Sequence, residues 1–517
     1  MASLYINGEL PDNGKLLVSL ESATCLALVS FIDPPLTVFV TPPTTQGDSE
    51  SPLDILFTCP PDLILSYLDN LPLPAALCRP PVVTLDDGIS SVAGLSAVLR
   101  KIIQVCPKNK RGLLGFRESC LAAPFETSPF VWFCEVGMLR GDESALAQLE
   151  LHLSLPIRIH NAGKYKELLE EGSRYTEGPH FLLTDIVCAV GISIILQRFP
   201  VGTITSYPNI ESWLMRVKVD QGLSSVLELF EALPLKHIPD DNGPMISPIS
   251  SLYKRDPLRC KSRHNNIFTQ QADIDSSLNL LSSIKMMEVN KVHIISLPDS
   301  MPLPDVPSSR KERKTQQIQS FISAALGVCR EGDIVVDFCA GSGHVGLALA
   351  SCLPPTVQVV LLDAKEGSLT RAREKVAELG LNNVWLIQAN LGYFTAQFQV
   401  GLALHACGVA SDLMLHKCLE KGANIILCPC CYGSIKPNET LKYPQSEKYR
   451  ETGLSQDGFI VLGHCADQET QQGERSMLAV DTDRCLAAAE KGYRVELLKM
   501  EPITCSTRNN LIIAVKE

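Results

Sequence analysis

The sequence has neither an excess of basic residues nor a long apolar run, the features that favour binding to membranes or broad binding to nucleic-acid backbones. Basic residues are not in excess, since 46 Lys and Arg stand against 57 Asp and Glu and the formal net charge is −11. Long apolar runs are missing too: the longest, Phe181–Leu196, is short and contains Asp185, which indicates a buried core helix. We therefore predict no membrane association and no broad non-specific binding to phosphate backbones.

The sequence also lacks the regular cysteine spacing of a disulfide framework. Its 19 cysteines are scattered and odd in number. The stretch MASLYINGEL at the start has neither the basic region nor the apolar run of a signal peptide. Free thiols in a reducing compartment are the expected state, so we predict a cytoplasmic protein.

Four stretches of different character divide the chain, which at 517 residues is too long for one hydrophobic core. Residues 1–105 alternate short β-like runs with proline-rich turns, and residues 106–235 have a helical pattern. Residues 236–309 form a linker and approach segment, with a helix expected at Asp273–Met287 and a strand at Val292–Leu297. Residues 310–517 alternate apolar strands with helices, so we predict an α/β multidomain protein.

The first two stretches carry local patterns that belong together. In Arg79–Ile103 a proline opens a short strand, a turn follows, and an amphipathic helix is expected to start near Ser91. In Tyr207–Val217 a Tyr-Pro-Asn turn introduces a helix that contains Trp213. These patterns resemble the two halves of glutathione S-transferases. The resemblance implies a thioredoxin-like domain, an all-helical C-terminal-like domain, a cis peptide at Pro81 and a buried Trp213.

The groups that glutathione chemistry needs are poorly represented in this half. The family uses a hydroxyl or thiol after the first strand, for which Tyr5 and Cys25 are candidates only in name. It also uses an acid–serine pair, and Ser90-Ser91 stands there without the acid. We therefore predict a degenerate thioredoxin-like domain that does not conjugate glutathione, and a helical domain that contacts a protein partner.

The most informative stretch of the second half is Val335–Ala350, VVDFCAGSGHVGLALA. An apolar strand, a G-x-G-x-x-G turn that includes Gly341 and Gly343, and a small-residue helix follow one another, as in nucleotide-binding turns. The strands that follow are apolar without alternation, which is typical of a doubly wound parallel sheet. Asp363, at the end of the second strand, lies where a ribose-binding carboxylate is expected.

The acid four residues before the first glycine, Asp337, decides which ligand is favoured. The arrangement D-x-x-x-G-x-G resembles class I S-adenosylmethionine-dependent methyltransferases more than dinucleotide oxidoreductases. The resemblance implies a Rossmann-like methyltransferase domain with S-adenosylmethionine as cofactor. The cofactor-binding residues it implies are Asp337, Gly341, Gly343, Asp363 and Asn390. A dinucleotide enzyme and a fold that has lost its ligand are the alternatives.

Three later motifs point to the methyl acceptor. Leu404–Asp412, Cys428–Gly433 and Ser506–Ile512 together resemble one methyltransferase subfamily that includes transfer-RNA 2′-O-methyltransferases. With the helical half in front, the whole chain resembles a family that joins a glutathione-transferase-like half to a methyltransferase domain. The resemblance implies an RNA substrate, with transfer RNA as one candidate. The alternative is a non-catalytic scaffold that retains both folds.

His405 stands at the end of the fourth strand of this domain, where it would face the methyl donor. A neutral imidazole there could accept a hydroxyl proton, or it could merely cap the strand turn. The basic cluster Arg310–Lys314 has a similar pair of interpretations, since it is either a solvated helix end or a patch that receives an anionic substrate.

The cysteines of CPCCYG allow three interpretations. A Cys next to Pro could add to a pyrimidine ring, the cluster could hold a metal together with Cys407, or buried small thiols could line the substrate pocket. The spacing C-x-C-C lacks the paired C-x-x-C of zinc sites, so no metal is predicted and pocket lining is favoured. Cys430 and Cys431 join His405 as catalytic candidates, and Tyr432 could stack on a base or bound ring.

The last part of the chain gives three expectations about structure. The polar stretch Tyr443–Cys465 is expected to form a flap over the pocket. Ser476–Met500 is expected to be a strand, a helix and a strand. The run LIIAVK, ending at Lys516, is expected to be an antiparallel edge strand.

Overall fold

Two units make up the protein, described by a computed structural model. The structure describes residues 2–11, 14–43, 54–123, 128–155, 174–234, 252, 270–298, 302, 304, 306–438 and 440–517. Unit 1 comprises Met1–Lys261 together with Gly392–Thr395, and unit 2 comprises Ser262–Leu391 and Ala396–Glu517.

Unit 1 combines a mixed sheet with helices. Its strands are β1 (Ser3–Glu9), β2 (Leu16–Val18), β3 (Thr37–Thr41), β4 (Ile55–Phe57), β5 (Leu65–Tyr67), β6 (Val82–Thr84), β7 (Ser90–Ala93) and β8 (Phe230–Ala232). Its α-helices are α1 (Leu20–Ile32), α2 (Leu95–Gln104), α3 (Pro129–Trp132), α4 (Glu143–Ser154), α5 (Leu183–Gln197), α6 (Pro208–Val219) and α7 (Ser224–Leu227).

The centre of the unit 1 sheet has the order β3-β1-β6-β7. Strand β1 is parallel to β3 and antiparallel to β6, which forms an antiparallel hairpin with β7. The Pro80–Pro81 peptide before β6 is cis, as predicted. The expected helix start near Ser91 is wrong: Ser91 pairs with Thr84 in the hairpin, and α2 begins only at Leu95.

The helical part of unit 1 packs around the apolar helix α5. Asp185, in its first turn, accepts hydrogen bonds from the Leu182 and Thr176 amides and from Trp213 Nε1, at 2.8 to 2.9 Å. Trp213 is buried as predicted. Burial raises the pKa of Asp185 to about 6. Within the predicted helical stretch 106–235, residues 156–173 lie outside the described residues. None of the described helices combines the length and apolar character that crossing a bilayer requires.

Unit 2 is an α/β sheet unit. Its strands are β9 (Val289–Lys291), β10 (Ile334–Phe338), β11 (Gln358–Asp363), β12 (Val384–Gln388), β13 (Val400–Cys407), β14 (Asn424–Cys430), β15 (Tyr493–Lys499) and β16 (Asn510–Lys516). Its helices are α8 (Gln271–Leu280), α9 (Ser308–Leu326), α10 (His344–Cys352), α11 (Glu366–Leu379), α12 (Val409–Lys421), α13 (Glu447–Glu451), α14 (Gln456–Ala466) and α15 (Gln471–Ala489).

The sheet of unit 2 has the order β12-β11-β10-β13-β14-β16-β15-β9. The first five strands are parallel, so the predicted doubly wound sheet is confirmed. Gly380 and Gly422 end α11 and α12 with φ values of 63° and 66°, which suit glycine. The strand order reverses between β10 and β13. In such sheets ligands bind beyond the carboxyl ends of the strands at that reversal.

The structure corrects two expectations about where strands lie. The sequence predicts a strand at Val292–Leu297, but the strand in this region is β9, which ends at Lys291. It pairs in parallel with β15. Strand β16 lies between β14 and β15 and is therefore no edge strand.

Two expectations about the last helices are also wrong. The strand expected from Ser476 is part of α15, because Ser476, Val480 and Asp483 fall on one helical face that is buried. The stretch Tyr443–Cys465 is no flap, since α13 and α14 pack Tyr449 and Phe459 into the core.

Candidate functional site

The glycine turn after β10 has the predicted strand–turn–helix geometry. Gly341 and Gly343 have φ values of 58° and 77°, a conformation that side chains with a Cβ rarely adopt. Gly346 lies against the neighbouring strand so closely that a Cβ there would come within 2.1 Å of Leu361 Cδ2. The close contact between Gly346 and Leu361 therefore lets α10 pack directly on β11.

Asp337 lies beneath this turn. Its side chain is buried, and its Oδ2 accepts a hydrogen bond from the Gly346 amide at 2.9 Å. Burial raises the pKa of Asp337 to about 7. Asp337 therefore fixes the start of α10 against the strand that precedes the turn.

Asp363, at the end of β11, reaches the same turn from the adjacent strand. Its Oδ2 accepts from the Gly341 amide at 2.8 Å, and its Oδ1 accepts from the Lys365 amide at 2.7 Å. Asn390 follows the end of β12, the next strand of the sheet, and is partly exposed. Asp363 and Asn390 thus lie at the carboxyl ends of the parallel strands, as the glycine turn does.

His405 sits in a bulge of β13, where the register shifts and its φ is 67°. Its Nε2 lies 2.9 Å from Gln317 Oε1, and the amide nitrogen of Gln317 donates to the Cys505 carbonyl at 2.6 Å. Because Gln317 thereby presents an acceptor, His405 Nε2 carries the proton and Nδ1 keeps its lone pair. Burial, and then the charge of Lys314, lower the pKa of His405 to about 4, so the ring is neutral at pH 7.

Three cysteine thiols converge beside His405. Cys407 Sγ lies 3.3 Å from Cys430 Sγ and 3.5 Å from Cys431 Sγ. Hydrogen bonding from Cys430 lowers the pKa of Cys407 to about 6. The interpretation of these thiols as buried pocket lining is wrong for Cys430 and Cys431, which are partly exposed beside the exposed Cys407. Only Cys428 is buried.

A buried polar network joins the three later motifs. Arg484 on α15 binds Asp412 through two hydrogen bonds of 2.7 and 3.1 Å, and Asp481 through one of 3.0 Å. Asp481 also accepts from Tyr432 and Asn510, each at 2.8 Å. Tyr432 is therefore a core residue, and its buried ring is not available to stack on a ligand.

A second contact fixes the turn that contains Cys431. Asp467 accepts hydrogen bonds from the amides of Tyr432 and Gly433 at 3.0 and 2.8 Å, and it pairs with Arg508 at 3.5 Å. Sequence reasoning missed Asp467, because nothing in its local pattern marks it. It also missed Arg484, which lies three residues after Asp481 in the buried part of α15.

The candidates of unit 1 lie in its core. Tyr5 is buried and its ring stacks on Phe39 with centroids 5.3 Å apart. Cys25 is fully buried in α1, and burial raises the pKa of its thiol well above the usual value. Ser90 and Ser91 are buried in β7. These side chains therefore do not present a hydroxyl or a thiolate to a ligand.

Comparison with known proteins agrees with this geometry for unit 2. Residues 310–438 match a family described as "Methyltransferase domain". A stretch of 75 residues, 14% of the chain, is 37% identical to ribosomal RNA small subunit methyltransferase G of Chromohalobacter salexigens, over 36% of that protein. The α/β sheet that carries the glycine turn is thus a methyltransferase domain.

The relationship to whole proteins is broader. The chain is 32% identical to the glutathione S-transferase C-terminal domain-containing protein homolog of Drosophila pseudoobscura pseudoobscura, over 83% of each chain. It is 29% identical to the human glutathione S-transferase C-terminal domain-containing protein, over 87% of this chain and 88% of that one. The chain belongs to the family of glutathione S-transferase C-terminal domain-containing proteins.

Two solved structures are also similar to part of the chain. One is a methyltransferase from Aquifex aeolicus described as SAM-dependent, with 14% identity and a TM-score of 0.24 over 41% of this chain and 98% of that one. The other is magnesium protoporphyrin IX methyltransferase from Synechocystis with bound SAM, with 15% identity and a TM-score of 0.26 over 42% of this chain and 88% of that one.

Proposed function

We propose that unit 2 transfers a methyl group from S-adenosylmethionine. The hydrogen bond of 2.8 Å between Asp363 and the Gly341 amide carries the proposal. It brings the Asp363 carboxylate, which we propose as the ribose ligand, to the glycine turn. An ionised carboxylate has about four acceptor positions, so Asp363 can hold two backbone amides and still accept from ribose hydroxyls. Gly341 and Gly343 would approach the methionine part, and Asn390 the adenine.

His405 is the residue that we propose to accept a proton from the methyl acceptor. Its Nε2 is engaged with Gln317, which leaves the Nδ1 lone pair as the basic atom. A hydroxyl acceptor would lose its proton to Nδ1 as its oxygen attacks the methyl group. Cys430 is the last residue of the neighbouring strand β14, Cys431 follows it, and both would border the acceptor.

RNA is the acceptor that we propose. Exposed Arg310, Lys311 and Arg313 lie in the first turns of α9, the helix whose Gln317 contacts His405. Basic side chains at this place suit a phosphate backbone. The ribosomal RNA methyltransferase among the relatives supports the same substrate class.

For unit 1 we propose a degenerate thioredoxin-like domain followed by a helical glutathione-transferase C-terminal-like domain, used for contact with a protein partner. The strand order β3-β1-β6-β7 and the hairpin that leads into α2 support this fold. The burial of Tyr5 and Cys25 supports a role other than glutathione conjugation. We expect the protein not to be retained on a glutathione column.

Calorimetric titration with S-adenosylmethionine tests the central proposal. Wild type should bind, and Asp363→Ala should weaken binding at least about tenfold, since hydrogen bonds to a charged group are worth about 1.5–3 kcal/mol. Asp457→Ala, at an exposed position of α14, is the matched control and should bind as wild type does. If wild type does not bind, the proposal is wrong and the non-catalytic scaffold is the better explanation.

Transfer of labelled methyl groups to RNA tests the acceptor. We expect His405→Ala to abolish transfer while S-adenosylmethionine still binds. Replacement of Arg310, Lys311 and Arg313 by Gln should weaken RNA binding and reduce its dependence on salt concentration. Labelling of protein but not of RNA would refute the proposed acceptor.

A further inference from the structure

The Cys407, Cys430 and Cys431 thiols form a cluster to which the methyltransferase proposal assigns no chemical step. Cys407 ends β13 and Cys430 ends β14, and these two residues are direct partners in the parallel pairing of the strands. Cys431 follows at once with a φ of 54°, so the chain turns back there. The topology thus brings together thiols that are more than twenty residues apart in the chain.

Backbone features on both strands hold this arrangement. The bulge at His405 shifts the register of β13 just before Cys407, and bulges of this kind re-aim the side chains that follow. The Gly408 amide donates to the Cys430 carbonyl at 3.2 Å. Asp467 fixes the turn after Cys431 by accepting from two successive amides. Backbone contacts of the two strands and the turn therefore hold the three cysteines in these positions.

The spacing of the sulphur atoms fits a shared metal ion. All three sulphur atoms lie within 4.8 Å of one another, and Cys407 Sγ is 3.3 Å from Cys430 Sγ and 3.5 Å from Cys431 Sγ. Tetrahedral zinc with Zn–S bonds of about 2.3 Å separates two thiolate ligands by about 3.8 Å. The thiols need only small movements to reach that geometry.

The surroundings suit an ion that keeps one position open. Cys407 is exposed and Cys430 and Cys431 are partly exposed, so solvent reaches the cluster. Lys314 acts electrostatically on Cys430 and Lys365 acts on Cys407, while the carboxylate of Asp467, which is paired with Arg508, acts in the opposite sense on Cys407 and Cys431. The two lysine charges reduce the excess negative charge that three thiolates leave on a divalent ion. Sites with three protein ligands and one exchangeable position are those that activate a water or bind a substrate atom.

We propose that Cys407, Cys430 and Cys431 bind one zinc ion through three thiolates, with the fourth position open to water. Binding forms three Zn–S bonds and releases the protons of those thiols that are still protonated, and no electron is transferred. The spacing C-x-C-C alone predicted no metal, because the third ligand comes from the preceding strand. The proposal does not depend on methyl transfer.

Cobalt substitution of the full chain, purified under reducing conditions without air, tests the site. We expect one Co²⁺ per chain with the intense visible absorption of tetrahedral thiolate coordination, and its displacement by Zn²⁺. Cys407→Ser should weaken binding more than about 100-fold, because loss of a mere supporting partner of a metal ligand already costs about 10–100-fold. Cys352→Ser, a partly exposed cysteine on α10, is the control and should bind as wild type does.

Thermal unfolding of each variant without metal shows that it is folded, and Cys407 is the best position to vary because it is exposed. If wild type takes up no stoichiometric Co²⁺, or if Cys407→Ser keeps the same absorption and affinity, the proposal is wrong. A disulfide between Cys407 and Cys430 that forms in air, with no metal uptake by the reduced chain, would likewise overturn it and indicate a redox pair.

Discussion

Replacement of Arg484 by Met should be among the most damaging single changes in unit 2. The side chain is 2% exposed, and its two partners, Asp412 and Asp481, are fully buried. Removal of one member of a buried ion pair costs about 3–5 kcal/mol, because the remaining charge is left without compensation. Tyr443 and Gln445 still donate to Asp412 at 2.8 and 2.7 Å, which favours the lower end of that range.

Hydrogen exchange measured by mass spectrometry reports this loss locally. A loss of 3 kcal/mol corresponds to exchange about 150-fold faster in the amides of α15 that open only when unit 2 unfolds. Helix α5 in unit 1 is the internal reference and should be unchanged. Arg494→Met, which removes an exposed pair with Glu496, should cost less than about 1 kcal/mol. Equal effects of the two variants would refute the reasoning.

Two further predictions concern packing and pH. Gly346→Ala should lower the free energy of unfolding by about 1–3 kcal/mol, because the added Cβ would overlap Leu361. Gly367→Ala is the control and should be neutral or slightly stabilising, since nothing lies within 4 Å of the position of its Cβ. Thermal unfolding of the two variants measures the difference. The His152 ring is neutral in the folded protein: its Nε2 lies 2.8 Å from the Thr176 carbonyl, and its Nδ1 accepts from the Leu252 amide at 3.1 Å. Burial lowers the pKa of His152 from 6.5 to about 4. Between pH 6.5 and 4 the unfolded chain therefore binds more protons than the folded chain. The free energy of unfolding of unit 1 should fall by up to about 3 kcal/mol as the pH falls through that range. Urea unfolding of His152→Gln should lack this part of the pH dependence.

The parts of the fold that follow from local patterns were predictable from the sequence. The parallel strands of unit 2 are continuous apolar runs in the sequence. Gly380 and Gly422 mark where the helices α11 and α12 end. The strand–turn–helix around Gly341 and the position of Asp363 follow from spacing alone. The strand expected from Ser476 failed because α15 is buried on most of its surface, so its apolar residues do not show a clear helical stripe.

The parts of the site that depend on contacts between distant segments were not predictable. Gln317 determines which nitrogen of His405 is basic, yet it lies on a helix 88 residues earlier in the chain. Cys407 meets Cys430 only because two strands pair in one register and one of them bulges. No spacing rule within a single segment can reveal such a cluster.

The pairing of β9 with β15 matters for anyone who wants to produce the methyltransferase part alone. A recombinant fragment that begins at Arg310, where the family match begins, lacks α8 and β9. It would leave the hydrogen-bonding groups of Leu497–Lys499 without their partner strand and remove Leu281 from the cluster around Tyr449. A bare strand edge beside an opened apolar cluster is a template for aggregation. The boundary of a soluble fragment therefore belongs near residue 270, ahead of α8.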